Sequence, residues 1–477
     1  MNDNTTGICD ECGSEFNKSK SKMLSLCPEC AHLLYGYENC DHVFRNGKCV
    51  KCLWNKNRSK YLKNILEKRF NMKNKKFFYP AEILLPEFAD NGEKMNKYAV
   101  IACDQFTSEP EYWEKAGEII GGTPSTLDMI LPEVYLDKTD DMIPVIHKKM
   151  EENIRLLKLY SDCMIYCERT LPSNGKIRHG IIGKIDLEDY EYVKGGKSLI
   201  RSSEATVVER IPPRVKVRRG ALLELPHVMV FYDDETDGLM TYLQSKKSGF
   251  EQLYDFDLMQ GSGNIKGYGL DNDTVSYVQN YLKENCVKDG LGLTVGDGNH
   301  SLASAKAYFE EIKEKYGEAA YEMPCRYALI EIVNIHDEAI EFEPIYRLIK
   351  NKTTDEFIEE LSSKLDVRCK LTDKCFRYDI VSDGKTKTVY VNEPKTTLPV
   401  AELQAFLDGG NYKIDYIHGL DSINALSAGG NIGIIFEGMK KSELFPAVIN
   451  DGALPRKTFS MGEAKDKRFY LEARKIK

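Results

Sequence analysis

From about residue 78 onward, short apolar runs alternate with stretches whose apolar side chains recur every three or four positions. KYAVIACDQF reads as a buried strand ending at Asp104. TSEPEYWEKAGEII then reads as a helix, with Ser108 and Glu111 at capping-box spacing and Pro110 suited to the first turn. A second start signal, TPSTLDMILPE, follows at Thr123; residues 140 to 160 keep helical periodicity, and SDCMIYCERTL returns to a strand pattern. RYALIEIVNI and AIEFEPIYRLI predict further strands, TTDEFIEELSSKL a helix, and SAGGNIGIIF a glycine-bearing strand. Strands mixed with helices predict an α+β fold with a mixed α/β body. Changes of texture predict a small module over residues 1–55, a basic linker helix over 56–77, a main body over 78–345 and a C-terminal subdomain over 346–477.

Composition narrows the classes. With 42% hydrophobic and 29% charged residues the chain is globular, which excludes collagen-like and disordered classes. No run reaches the roughly 20 apolar residues of a bilayer helix, and MNDNTTGICDECG lacks the basic and apolar regions of a signal peptide. These features predict a cytoplasmic protein without a membrane partner. A net charge of −8 argues against a surface built throughout for nucleic acid. Residues 55–77 depart from that average, with nine Lys or Arg against the single Glu67. This segment is either a solvated linker or a contact for nucleic acid or a protein partner.

Seven of the fourteen cysteines fall before residue 53. Cys9-x2-Cys12 and Cys27-x2-Cys30 have zinc-ribbon spacing, since each CxxC turn presents two thiolates to one tetrahedral ion. Cys40, His42, Cys49 and Cys52 supply a second set of four, with His32 as a competitor to His42. Two structural zinc ions satisfy the count. Every coordination position would then be filled by protein, so the module folds or grips and carries no reaction.

Chemistry is more plausible in LGLTVGDGNHSLASAKAYFEEIK. An apolar strand, a glycine turn and a helix start aim free N–H groups at an anion. Here His300 and Ser301 can add side-chain donors, and Asp297 can hold a metal or take a proton; a tight connection with Asn299 or Ser301 as a plain N-cap is the alternative. In ERIPPRVKVRRGALLELPH the period-two alternation predicts a strand with Arg214, Lys216 and Arg218 on one face and valines on the other. Glu204, Glu209 and Glu224 lie nearby as candidate general bases. The C-terminal LPRKTFSMGEAKDKRFYLEARKI gathers Arg456, Lys457, Lys467, Arg468 and Arg474 around Thr458, Ser460 and Glu463, and Asp104 sits at a strand end where ligands collect. His147, His179, His336 and His418 stand without evident partners. Walker, GxGxxG, GxSxG, HExxH and kinase signatures are absent.

KYAVIACDQFTSEPEYW, STLDMILPEVYL, ERIPPRVKVRRGALLELPH, GDGNHSLASAK and LPRKTFSMGEAKDKRFYLEARK together resemble the prokaryotic family known as domain of unknown function 1015, over roughly residues 80 to 477. The cysteine-rich module lies outside that resemblance. The Asp297-Gly298-Asn299-His300 turn is also similar to the phosphate-binding turn of the ParB, sulfiredoxin and free serine kinase group. That likeness implies a ParB/sulfiredoxin-like core and a nucleotide (ATP or ADP with Mg²⁺) held at the turn, with Gly298, Asn299, His300 and Ser301 as its phosphate cradle and Asp297 as a metal ligand or catalytic acid; free serine or phosphoserine is the expected substrate. It departs in one respect: no Arg follows His300, so Arg214, Lys216 or Arg218 must supply the missing cation. The leading expectation is a phosphotransferase acting on a small polar metabolite, because phosphoryl transfer depends on positioning and charge neutralisation. The alternatives are a phosphomonoesterase using the same pocket and a non-catalytic adaptor gripping a nucleic-acid or protein partner through the zinc module.

Overall fold

The computed structural model describes residues 6–63, 75–206, 208–368 and 375–477. The chain forms two compact units, Met1–Lys75 and Lys76–Lys477. In the first, strands Thr6–Ile8 and Glu15–Asn17 pair antiparallel. Helix Pro28–Tyr35 starts on Cys27 with Pro28 in its first turn and ends on Gly36 in the left-handed region. A hairpin of Phe44–Arg45 and Lys48–Cys49 follows. Its apolar core consists of cysteines with Phe16, Leu26, Ala31, Trp54 and Leu62, a small hydrophobic payload for an independent unit. Of the expected linker helix, residues 60–63 are helical, and residues 64–74 lie outside the described residues.

The second unit is α+β and contains two large sheets. The strands of the first are β1 Ile165–Thr170, β2 Ile177–Asp186, β3 Tyr190–Glu191, β4 Ile200–Ser202, β5 Met229–Tyr232, β6 Glu251–Asp257, β7 Asn264–Gly269, β8 Leu293–Asp297 and β9 Tyr327–Asn334. Their order is β3-β4-β8-β5-β9-β2-β1-β7-β6. Strands β4 and β8 run parallel, and β5 runs antiparallel to β8. The second sheet contains β10 Phe342–Ile349, β11 Val367–Arg368, β12 Cys375–Ser382, β13 Lys385–Asn392, β14 Ile414–His418 and β15 Ile432–Phe436, in the order β11-β13-β12-β15-β10-β14. A short strand, β16 Phe459–Met461, pairs with the start of β10. One apolar cluster joins Met229 and Val333 of the first sheet to Leu348, Phe357, Phe406 and Ile432, so residues on both sides of position 345 share a core.

The C-terminal segment is stitched into the body. Phe469–Tyr470 pairs with Val100–Ile101, and Arg474–Lys475 with Leu223–Glu224. Beneath it Arg468 is buried between Glu331 and Glu472, and Arg474 donates to Glu224 at 2.7 Å. Removing one member of such a pair leaves an uncompensated buried charge, which costs about 3–5 kcal/mol.

Three local expectations are corrected. Residues Ile211–Arg218 form a helix, α1, not a strand. Pro212 and Pro213 fit its first turn, and Ile211 and Val215, one helical turn apart, bury against Ala303. Five alternating residues are too few to separate the two periods when tertiary packing rewards the helical one. The capping box at Ser108 does not form: helix Pro110–Ile120 begins on Glu109 without a side-chain cap. Helix Thr139–Asn153 also stops before residue 160, where the chain is already a strand, Leu157–Cys163.

Candidate active site

Strands β4 and β8 end on the same side of the sheet, and their neighbour β5 begins there. That arrangement delivers Glu204 from the end of β4, His227 from just before β5, and Asp297 at the tip of β8. Helix α2, Asn299–Tyr316, starts at the same point. The turn requires Gly298: its φ is +81°, and an added Cβ would lie 3.1 Å from the Val228 backbone. The amides of Asn299 and Ser301 belong to the first turn of α2, whose N–H groups an α-helix does not itself satisfy. With the C-terminal loop 456–467 and the edges of β10 and β14, these groups line a cleft of about 780 Å³.

The loop is held by the end of β4, since Ala205 N donates to Leu454 O and Leu454 N to Ser203 O, each at 2.8 Å. Glu204 accepts from the amides of Thr458 at 3.1 Å and Lys457 at 3.3 Å. Burial outweighs these donors and raises its carboxyl from the ordinary 4.5 to about 7. His300 moves the other way, to about 4, because burial and the neighbouring Arg214 and Arg210 disfavour a further positive charge. Its imidazole is therefore neutral at pH 7. Asp104 is driven upward by burial, but His227, Gln105 and Lys467 outweigh that and leave it below its ordinary value. Asp297 accepts from Gly298 N at 2.9 Å and faces Lys467 Nζ at 3.3 Å.

His227 joins several parts of this wall. Its Nδ1 meets Tyr470 Oη at 2.7 Å, and its Nε2 faces Ser301 Oγ at 3.4 Å and Asp104 at 3.9 Å. Asn299 is occupied by the sheet: its Oδ1 accepts from Ser202 Oγ at 2.5 Å. Arg214 lines the cleft but is ion-paired with Glu133. Among the described residues, Arg210, Arg456 and Lys457 line the cleft without a carboxylate within 4.0 Å of their charged nitrogens. Glu463 also lines it, at an exposed position.

Other sequence candidates are placed elsewhere. Lys216 projects to the surface and pairs with Asp140 at 2.8 Å. Arg218 is bound to Glu224, whose carboxylate also takes Leu329 N at 2.9 Å; the two arginines and this amide outweigh burial and hold Glu224 below its ordinary value. Neither Glu224 nor the exposed Glu209 reaches the cleft. The three-cation face therefore does not exist. Three of the histidines that stood alone have partners: His147 with Val217 O, His179 with Asp337 and His336 with Asp233. His418, Tyr416, Glu133 and Glu343 line the cleft and were missed. Tyr416 and His418 share β14, while Glu133 and Glu343 come from distant segments, and no one motif holds all four; only the strand-ending position of His418 hinted at its place.

In the N-terminal unit the two four-ligand sets assemble as spaced. The ligand atoms of Cys9, Cys12, Cys27 and Cys30 lie within 4.8 Å of one another, as do those of Cys40, His42, Cys49 and Cys52. His32 is bonded instead to Tyr37 O at 2.7 Å. The Nδ1 of His42 faces Cys52 Sγ at 3.4 Å, while its Nε2 faces Glu29 at 3.4 Å. A carboxylate behind a ligating imidazole orients the ring and raises its basicity. These cysteine clusters could hold zinc.

No helix among the described residues is long and apolar enough to cross a membrane. No curated protein matches the sequence. Solved structures overlap it slightly. A conserved hypothetical protein from Pyrococcus furiosus is 12% identical with a TM-score of 0.31, covering 62% of this chain and 94% of its own. A free serine kinase in complex with AMP is 12% identical with a TM-score of 0.33, covering 62% and 90%. Such overlaps are too slight to assign an activity. A protein-family model, by contrast, matches residues 88–416, well over half of the chain. The chain belongs to the family described as "Protein of unknown function (DUF1015)".

Proposed function

We propose that the cleft transfers a phosphoryl group between a nucleotide and the hydroxyl of a small polar metabolite. The observation that carries this reading is the convergence, in one cleft, of the glycine-turned start of α2, three cations with no carboxylate partner among the described residues, and Glu204 with a pKa of about 7. The amides at the start of α2 bind phosphate oxygens, and Arg210, Arg456 and Lys457 neutralise their charge. Glu204 accepts the proton of the acceptor hydroxyl, and a base whose pKa lies near the working pH suits that task. The acceptor oxygen bonds to the terminal phosphorus as the bond from phosphorus to the nucleotide's bridging oxygen breaks, and the electron pair stays on that oxygen. His300, neutral and at the helix start, binds a phosphate oxygen without adding charge. Asp104 and Asp297 carry the carboxylate oxygens that would hold a magnesium ion accompanying the nucleotide. In the N-terminal unit, thiolate-rich closed sets suit two structural zinc ions.

The test is turnover by the full-length protein with ATP or ADP and Mg²⁺ against a panel of hydroxy amino acids and hydroxy acids, free serine included, read by ³¹P NMR. Phosphorylated acceptor should form, and Asp297→Asn should reduce its rate with little change in melting temperature. Release of inorganic phosphate from phosphoserine without nucleotide would point to hydrolysis instead. No binding of any nucleotide would end the proposal.

A further inference from the structure

Beside the polar cleft lies a second cavity of different character. It measures about 160 Å³, and its walls come mostly from apolar side chains such as Met129, Leu131, Met150, Val217, Leu302 and Ala305, with the mutually paired Arg218 and Glu224 also in the lining. Cys103, Glu133, Arg214, His227 and Ser301 line both the cavity and the cleft. The boundary between them therefore consists largely of two polar pairs, Arg214 with Glu133 and His227 with Ser301. An apolar cavity of about 150 Å³ is large enough to take a benzene ring. Here the void sits directly behind the groups that face the start of α2.

We propose that this cavity is a specificity pocket for the apolar part of a small amphiphile. The apolar part has the size of one ring or a chain of about six carbons, and its anionic head lies at the Arg214, His227 and Ser301 boundary. The chemistry of the walls sets the ligand class. A wholly polar metabolite would strand most of its donors against methyl and methylene groups, and a wholly apolar one would desolvate the charged boundary pairs with no polar group of its own to compensate. An anion is favoured at the head because Arg210 and the start of α2 lie on the cleft side of the same boundary. The inference rests on the reading that the cleft holds anionic small molecules. It narrows the phosphoryl acceptor from any small polar metabolite to one bearing an apolar substituent. Free serine, with a single methylene, would leave the cavity unfilled.

The test is calorimetric binding of straight-chain carboxylates, from acetate through butyrate and hexanoate to decanoate, to the full-length protein without nucleotide. Affinity should rise about fourfold per methylene up to hexanoate and then level or fall. Ala305→Leu, which puts extra carbon into the cavity from a helix that tolerates leucine, should move the optimum to shorter chains. Leu131→Ala, which enlarges it, should move the optimum to longer ones. Opposite shifts in two variants separate a filled pocket from a general loss of fold, which would weaken every chain alike. Hexanoate bound no more tightly than acetate, or an optimum unmoved in both variants, overturns the inference. Because nucleotide is absent, the two readings can fail separately. Chain-length selection without phosphoryl transfer would leave the pocket and remove the transferase, and transfer to free serine without chain-length selection would do the reverse.

Discussion

Glu204 and His300 pull the pH dependence of stability in opposite directions, and replacing either should expose the other. Glu204 titrates at about 7 in the folded protein against 4.5 when unfolded. Between those values the folded chain holds a proton that the unfolded chain releases, so this group's contribution to stability falls as pH rises. His300 titrates at about 4 against 6.5 when unfolded. Between those values the unfolded chain takes up a proton that the folded chain refuses, so this contribution falls as pH drops. The windows overlap from pH 4.5 to 6.5. At about 1.4 kcal/mol per unit, the more buried Glu204 is worth roughly 2–3 kcal/mol across the overlap; His300, only partly buried, contributes less because solvent screens it, so the two partly cancel in the wild type. Glu204→Gln removes the falling contribution, so its stability relative to wild type should climb from pH 4.5 to 6.5 by that amount. A constant offset of about 1 kcal/mol is expected as well, because the introduced side-chain amide nitrogen would confront one of the two backbone donors. His300→Ala should show the opposite slope. Thermal melts of the three proteins at pH 4.5, 5.5 and 6.5 read this directly, since contributions common to all three cancel in the differences. Parallel curves would falsify the claim that burial displaces these two groups in opposite senses.

Other outcomes follow from the same geometry. Gly298→Ala should lower stability by about 1–2 kcal/mol for the left-handed backbone alone, plus the cost of the Val228 contact, and should weaken nucleotide binding measured by calorimetry. Arg218→Ala should cost about 3–5 kcal/mol in a denaturant melt, because it leaves buried Glu224 short of a partner, yet leave phosphate-ligand affinity unchanged. Metal analysis of the purified protein should find two zinc ions per chain, with a chelator unfolding the N-terminal unit and sparing the rest. Glu29→Gln should lower affinity at the His42 set about 10- to 100-fold in a competition titration, by loosening the imidazole.

Local chemistry was readable without a structure wherever a short segment contains its whole reason. The two metal sets are of this kind, because CxxC spacing and a tight turn place thiolates whatever surrounds them. The glycine turn between β8 and α2 is another, since a strand, a left-handed glycine and a long amphipathic helix are all encoded within some twenty residues. So was the α+β class, which needs only the alternation of periods.

The cleft was not readable in this way. Glu204, Glu209 and Glu224 are alike as residues, and only the end of β4 puts Glu204 against two loop amides while Glu224 is consumed by Arg218 and Arg474. The segment Arg214–Arg218 alternates like a strand. It is helical because Ile211 and Val215 find Ala303 on α2, a contact about ninety residues away in the chain. His418 looked partnerless beside its own neighbours, and it lines the cleft because β14 pairs with β10. The apolar cavity had no signature at all, being a space between residues scattered from 103 to 470. The left-handed turn at Gly298 and the spacing of the metal ligands are set by interactions within a few residues. The ionisation state of a carboxylate, and the choice between helix and strand in a five-residue alternation, depend on which distant side chains come to lie within a few ångströms.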